Sequence, residues 1–358
     1  MRIGIPREIK TLEGRVGLVP AACGELVRAG HQVFIEQGAG AASGYEDGDY
    51  RAAGAEVVAD AAAAYGQGEL IVKVKEPVDA DLALLRADHL LFCYLHLAAN
   101  PELARRLQDI GLTAVAFETV QEPGGALPLL APMSDIAGRL AAQIGASLLH
   151  QPQGGRGLLL GGLPAAERGH VVVIGGGVAG GNAAAVAAAL GARVTVFDRN
   201  REKLAALRAL GDNVSALYAY QDAMDQAVED ADLLIGAVLT VGARAAHVVS
   251  AELVRRMRPG SVVMDISVDQ GGCVETTRPT TYAEPTYLWE EVVHFAVTNM
   301  PGAVPRTAVQ ALSAALIPYL GPMADGRWRD HDALYRGLNV EEGRLVHPGV
   351  RAALAGRA

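Results

Sequence analysis

Residues 170–198 read HVVVIGGGVAGGNAAAVAAALGARVTVFD. The apolar run Val171–Ile174 marks a strand, a glycine turn follows, residues from about Ala179 to Leu190 read as helix, and Arg193–Phe197 forms a second strand closed by Asp198. Gly175, Gly177 and Gly180 fit G-x-G-x-x-G, with an acid about 18 residues beyond the last of them. Gly175 allows a tight turn, Gly177 lets backbone approach a pyrophosphate, and Gly180 lets the helix pack close to the strand. The helix N-terminus then offers free N–H groups and a positive dipole end to phosphates. Asp198 accepts hydrogen bonds from a ribose 2′-hydroxyl and repels a 2′-phosphate, which favours NAD over NADP. Arg199 and Arg201 act against that preference, because they offer charge to a 2′-phosphate.

Working outward, 358 residues is long for one domain and fits two. With 51% hydrophobic and 20% charged residues, the composition is that of a soluble globular protein with ample core. The apolar stretch around the glycine turn is rich in Ala and Gly and broken by Asn182, so it does not read as a membrane span. MRIGIPREIK carries charge at once, and no secretion signal is expected from it. Cys23, Cys93 and Cys273 are odd in number and scattered, which points to reduced thiols in the cytoplasm rather than a disulfide framework or a metal cluster. A net charge of −9 with no basic face argues against nucleic acid.

Residues 1–127 alternate strands (2–6, 31–36, 70–74, 90–95, 113–117) with helices (20–29, 60–65, 101–110), which implies a parallel sheet with helical faces. Pro123, Gly124, Gly125, Pro128 and Pro132 mark a boundary. Residues 134–150 read as a long helix capped by Ser134, with Ile136, Leu140, Ile144 and Leu148 on one face. After Asp198, strands at 215–218, 233–237, 262–266 and 294–298 alternate with helices at 201–210, 222–228 and 251–257. They complete a nucleotide domain over 128–305. A second long helix covers 306–320, and the polar tail 321–358 returns to the first domain. The expected fold class is therefore α/β: two Rossmann-like, doubly wound parallel sheets joined by long helices. Residues 1–127 and 306–358 form the substrate domain, and 128–305 is inserted.

Ligands of doubly wound sheets bind at the carboxyl ends of strands, which selects four polar groups. Lys75 ends IVKVKEP, where alternation puts Lys73 and Lys75 on one strand face and a solvated edge is the ordinary explanation. His96 sits in the apolar LLFCYLHLAA, as a core histidine or as an acid/base working near neutral pH. Asp265 lies within its strand and reads as structural, whereas Asp269 lies past the strand beside Gly271-Gly272. Arg15 follows the first strand. A small oxo-acid needs cations for its carboxylate, which Arg15 binds as a fork and Lys75 as a point charge. Chemistry at its carbonyl needs a proton donor and acceptor, for which His96 and Asp269 fit. No H-E-x-x-H, C-x-x-C or Walker lysine pattern is present, so metal and ATP chemistry are not expected.

Over almost its whole length the chain resembles the L-alanine dehydrogenase family. The matching segments are GIPREIKTLEGRVGLVP near the N-terminus, KVKEP at 73–77, YLHLA at 94–98, ETVQ at 118–121 and LPLLAPMSDIAGRLAAQIGA at 127–146. QGGRG at 153–157, the glycine turn, DLLIGAVL at 232–239, DISVDQGGC at 265–273, RPTTY at 278–282 and TNMPGAVP at 298–305 continue the match. The resemblance implies reversible oxidative deamination, in which L-alanine, NAD⁺ and water give pyruvate, ammonium and NADH. It implies that Arg15 and Lys75 bind the substrate's carboxylate and carbonyl, that His96 is the substrate-side acid/base, and that Asp269 is the catalytic acid. Tyr94, Met133 and Asn299 would complete the substrate pocket. Ser134, Gly175, Gly177, Val178, Gly180, Asp198, Lys203, Val238, Leu239, Ile266, Asp269, Val297 and Met300 would contact NAD. It also implies a homohexamer. Two positions depart from the family: Tyr218-Ala219-Tyr220 lacks the usual serine, and Arg244-Ala245-Ala246 replaces K-A-P. Both lie on the adenosine side of the cofactor.

Two other readings share this fold. One is the NAD(H)-binding subunit of a proton-translocating transhydrogenase, which starts similarly but has no amino-acid substrate. The other is a non-catalytic NAD(H)-sensing protein. Lys75, His96 and the TNMP segment favour the dehydrogenase. Saccharopine- or lysine-type dehydrogenases would need a larger substrate pocket.

Overall fold

The structure, a computed structural model, describes residues 1–238 and 247–355. It divides into two units, Met1–Met133 with Val304–Ala358 and Ser134–Ala303. In the first, β1 (Arg2–Ile5), β2 (Gln32–Glu36), β3 (Glu56–Val58), β4 (Leu70–Val72), β5 (Leu90–Cys93) and β6 (Thr113–Ala116) form a parallel sheet. Their order is β3-β2-β1-β4-β5-β6, so the winding reverses between β1 and β4. In the second unit follow β7 (His170–Ile174), β8 (Arg193–Asp198), β9 (Val214–Tyr218), β10 (Leu233–Gly236), β11 (Val262–Asp265), β12 (Thr286–Trp289) and β13 (Val292–Phe295). Here the order is β9-β8-β7-β10-β11-β13-β12, with the reversal between β7 and β10. The chain then returns to the first unit, where β14 (Leu338–Glu341) and β15 (Arg344–Leu345) extend the sheet antiparallel beyond β6.

These strands form because their residues are apolar on both faces, as a parallel sheet covered by helices requires. All of β7 and β11 is buried, as are Ile71, Leu91, Ala114 and Ala116 of the first sheet. Helix Pro101–Ile110, through Leu103 and Leu107, and helix Gln221–Glu229, through Met224 and Val228, contribute to the two cores.

Three expectations change. The long helix begins at Ala131, not Ser134, so Ser134 lies within its first turn and is not its cap. The reason is Pro132, which is tolerated in a first turn because no N–H is needed there. The expected strand 294–298 is instead Val292–Phe295, because a hairpin turn at Glu290-Glu291 delivers it from the unforeseen antiparallel β12. The second long helix continues past Leu320 to Ala324, through Pro318 and Pro322. Among the described residues, no helix is long and apolar enough to cross a membrane, and no group of three or more His, Cys, Asp or Glu could hold a metal ion.

Candidate active site

Parallel strands align their carboxyl ends, so the loops after β1, β4 and β5 collect on one edge of the first sheet. Each carries one of the expected polar groups. Arg15, in the loop after β1, is 3% exposed. Its Nε donates to Glu13 Oε1 at 2.6 Å and its Nη2 to Glu13 Oε2 at 2.5 Å, a bidentate pair, while Nη1 lies 3.2 Å from Met133 Sδ. The guanidinium is thus held in place by its own loop, with one donor edge committed to Glu13.

After β4, Lys73 contradicts the reading of a solvated edge: it is 1% exposed, with Nζ 3.4 Å from Glu8 and from Asp81. Burial pulls its ammonium down, but Glu8 and Asp81 more than offset this, and Lys73 stays charged. Tyr65 completes the cluster by donating to Asp81 at 2.9 Å. Glu8 also accepts the Val74 N–H at 2.6 Å and the Lys75 N–H at 3.2 Å, fixing the backbone from which Lys75 projects. Lys75 itself is half-buried and, among the described residues, forms no ion pair.

After β5, the structure answers the question left open for His96. The side chain is exposed, and the core position belongs to Tyr94. Tyr94 donates to the Leu129 carbonyl at 2.6 Å, and burial raises its phenol pKa. The imidazole stacks on Tyr94 with ring centroids 5.8 Å apart and planes inclined by 2°. His96 has φ +49°, a left-handed conformation that non-glycine residues seldom adopt and that concentrates at functional sites.

In the second unit each glycine has a distinct surrounding. Gly175 has φ +100°, and a Cβ there would overlap the Ala237 carbonyl. A Cβ on Gly180 would overlap the Gly175 carbonyl, so helix and turn meet backbone to backbone. A Cβ on Gly177 would meet nothing within 4 Å. That open side adjoins the first turn of helix Val178–Ala189, which has no side-chain cap, and Val178 is exposed there. Uncapped N–H groups beside an empty approach fit a dinucleotide's pyrophosphate. Asp198 ends β8 at 2.7 Å from the Gly176 N–H. Lys203 is exposed in helix Arg201–Arg208.

The remaining residues follow neighbouring strand ends. Val238 lies past β10, and its carbonyl accepts from Ser267 Oγ at 2.7 Å. Ile266 and the exposed Asp269 lie in the 3₁₀ turn after β11. Asp265 is structural: buried, it accepts N–H bonds from Ser267, Cys273 and Val274 at 2.9, 2.9 and 3.1 Å, and the Thr277 hydroxyl at 2.7 Å. After β13 come the buried Val297, Asn299 at φ +63°, and the buried Met300, whose carbonyl accepts from Tyr282. Leu239 and Arg244-Ala245-Ala246 lie outside the described residues.

The sequence reading missed Glu8, Glu13 and Glu118, carboxylates that accept from backbone N–H groups or from the arginine of these loops. Their only local signal is an acid just past a strand end or beside an arginine.

Two doubly wound units, one with a glycine turn built for a dinucleotide, define an α/β nucleotide-binding protein. Residues 4–137 match the family model described as alanine dehydrogenase/PNT, N-terminal domain, and residues 141–348 match that described as alanine dehydrogenase/PNT, C-terminal domain. An alanine dehydrogenase of Halomonas elongata is 47% identical over 359 residues, covering 99% of this chain and 96% of its own. A solved L-alanine dehydrogenase structure matches with a TM-score of 0.96 at 52% identity, covering 100% of both chains. A transhydrogenase from Sinorhizobium meliloti matches with a TM-score of 0.85 at 25% identity, covering 97% of this chain and 99% of its own. The chain belongs to the alanine dehydrogenase/PNT family.

Proposed function

We propose that this protein catalyses the reversible, NAD-dependent oxidative deamination of L-alanine to pyruvate and ammonium. One observation carries the reading: a guanidinium, an ammonium and an exposed imidazole follow three adjacent parallel strands in the order β1, β4, β5. Arg15 and Lys75 hold the carboxylate of the substrate, and the fixed guanidinium sets its orientation. His96 gives and takes the proton at the substrate oxygen, for which an exposed imidazole offers both a donor and an acceptor nitrogen. Asp269 is the catalytic acid that helps the imine and carbinolamine steps, and Tyr94, Met133 and Asn299 are further substrate contacts by resemblance to the family. The Gly175–Gly180 turn, Val178 and Asp198 hold the dinucleotide, with Ser134, Lys203, Val238, Leu239, Ile266, Asp269, Val297 and Met300 as further contacts. When bound, NAD supplies the acceptor for the hydride that leaves the alanine Cα.

The test is NADH oxidation with pyruvate and ammonium, compared with glyoxylate, 2-oxobutyrate and NADPH. Turnover with pyruvate and ammonium is expected. NADH binding without turnover on any 2-oxo acid would refute the reading in favour of an NAD(H)-binding protein. By the same family resemblance we infer a homohexamer, which a light-scattering mass other than that of six chains would contradict. We also infer a cytoplasmic location, supported by three buried free thiols, with Cys23 pushed up to about 12 by burial. Cell fractionation that finds the protein outside the cytoplasm would overturn it.

A further inference from the structure

Glu118 lies in the 3₁₀ turn Phe117–Thr119, immediately after β6. β5 and β6 are parallel neighbours with Cys93 opposite Ala116, so the loops that follow them run side by side. Glu118 reaches from one loop into the other. Its Oε1 accepts the His96 N–H at 2.6 Å, and the Leu95 N–H points between both oxygens at 3.3 and 3.2 Å. The two N–H groups belong to the peptide units flanking Leu95 and converge on one point, directly before His96, which turns left-handed at φ +49°. The resulting concavity is one that binds anions, and here the chain fills it with its own carboxylate.

From this geometry we infer that Glu118 is the positioning residue for His96. Its carboxylate holds the left-handed backbone that presents the imidazole, while Tyr94 holds the ring face. The inference rests on the reading of His96 as the acid/base. Without Glu118, two N–H groups lose their acceptor and the left-handed conformation loses its compensation, so the loop relaxes and the ring leaves the Tyr94 plane. Glu8 makes the same type of contact with the Val74 and Lys75 N–H groups after β4. A carboxylate on paired N–H groups is therefore a repeated device of this sheet edge.

Two measurements test this. In Glu118→Ala, amide exchange of peptides covering 94–97 should accelerate about tenfold or more, with the β5 and β6 strands unchanged. Unchanged exchange would overturn the inference. Where the alanine variant does not fold, Glu118→Gln tests the same point, since it keeps one acceptor oxygen and loses the other. In steady-state kinetics Glu118→Ala should lower kcat by on the order of 10²-fold, the scale of a small misplacement, with NADH affinity by fluorescence titration unchanged. Placed on top of His96→Ala, the same change should alter kcat by less than about twofold, because the group it positions is gone. An equal loss in both backgrounds would overturn the inference. If the wild type turns over no 2-oxo acid, the functional reading fails, and the exchange measurement still decides whether Glu118 anchors the loop.

Discussion

The carboxylate of Asp198 accepts the Gly176 N–H through Oδ2 and the Asn200 N–H through Oδ1, each at 2.7 Å. It therefore ties the end of β8 to the glycine turn. Each carboxylate oxygen has a second lone-pair site, so both contacts are compatible with ribose hydroxyls. Asp198→Ala should weaken NADH binding by about tenfold or more, the scale of one hydrogen bond to a charged group. It should also narrow the preference for NADH over NADPH, because Arg199 and Arg201 are exposed beside it. Fluorescence titration with both cofactors measures this, and an unchanged NADH/NADPH ratio would assign the preference to another group. Lys73 shows where residue-scale reading stops. Its alternation with Lys75 is visible in IVKVKEP, but Glu8 lies far away in the chain and Asp81 on another element, and a local window cannot see that they bury the ammonium.

At the scale of elements, the strand–turn–helix at 170–189 was legible because its glycines answer to backbone sterics. Those sterics separate two substitutions. Gly180→Ala places a methyl into the Gly175 carbonyl and should lower the unfolding temperature markedly. Gly177→Ala places it in open space at a φ of −73°, so stability should fall by only about 0.5–1 kcal/mol, the margin of glycine over alanine at an N-cap, while NADH binding falls at least about tenfold. Thermal unfolding and NADH titration of both variants check the contrast. Equal losses of stability would show that the space beside Gly177 is not held for a ligand. The β12–β13 hairpin was illegible for a related reason. Glu290 and Glu291 occupy φ +47° and +62°, where asparagine or glycine is the usual signal. Pairing of Trp289 with Val292 imposes that turn from outside it.

For the whole molecule, the return of the chain matters more than its length. The polar tail at 338–345 buries Leu338, Asn339 and Val340 by adding an edge to the first sheet, turning at Glu342 and Gly343 with φ +46° and +74°. Both units also hold neutral buried histidines. His89 accepts the Arg86 N–H, His170 pairs with Thr195, and His294 pairs with Thr276 and the Val292 carbonyl. Burial lowers the pKa of all three below the ordinary value of about 6.5. The unfolded chain then binds more protons than the fold between the lowered and ordinary values. The stabilisation is therefore complete above about pH 6.5 and is lost as pH falls through the lowered values. The unfolding temperature should be level from pH 8 to 7 and decline by pH 5.5, and a midpoint that rises on acidification would contradict this. By itself, the sequence determined the α/β alternation, the dinucleotide turn and the polar residues after the strand ends, because period, glycine sterics and strand polarity are local. Only the tertiary structure decided that His96 is exposed, that Lys73 is buried, and that Glu8, Glu13 and Glu118 hold the loops. Each of those depends on partners brought together by sheet order or loop packing, and the dinucleotide turn gains its tether to Asp198 in the same way.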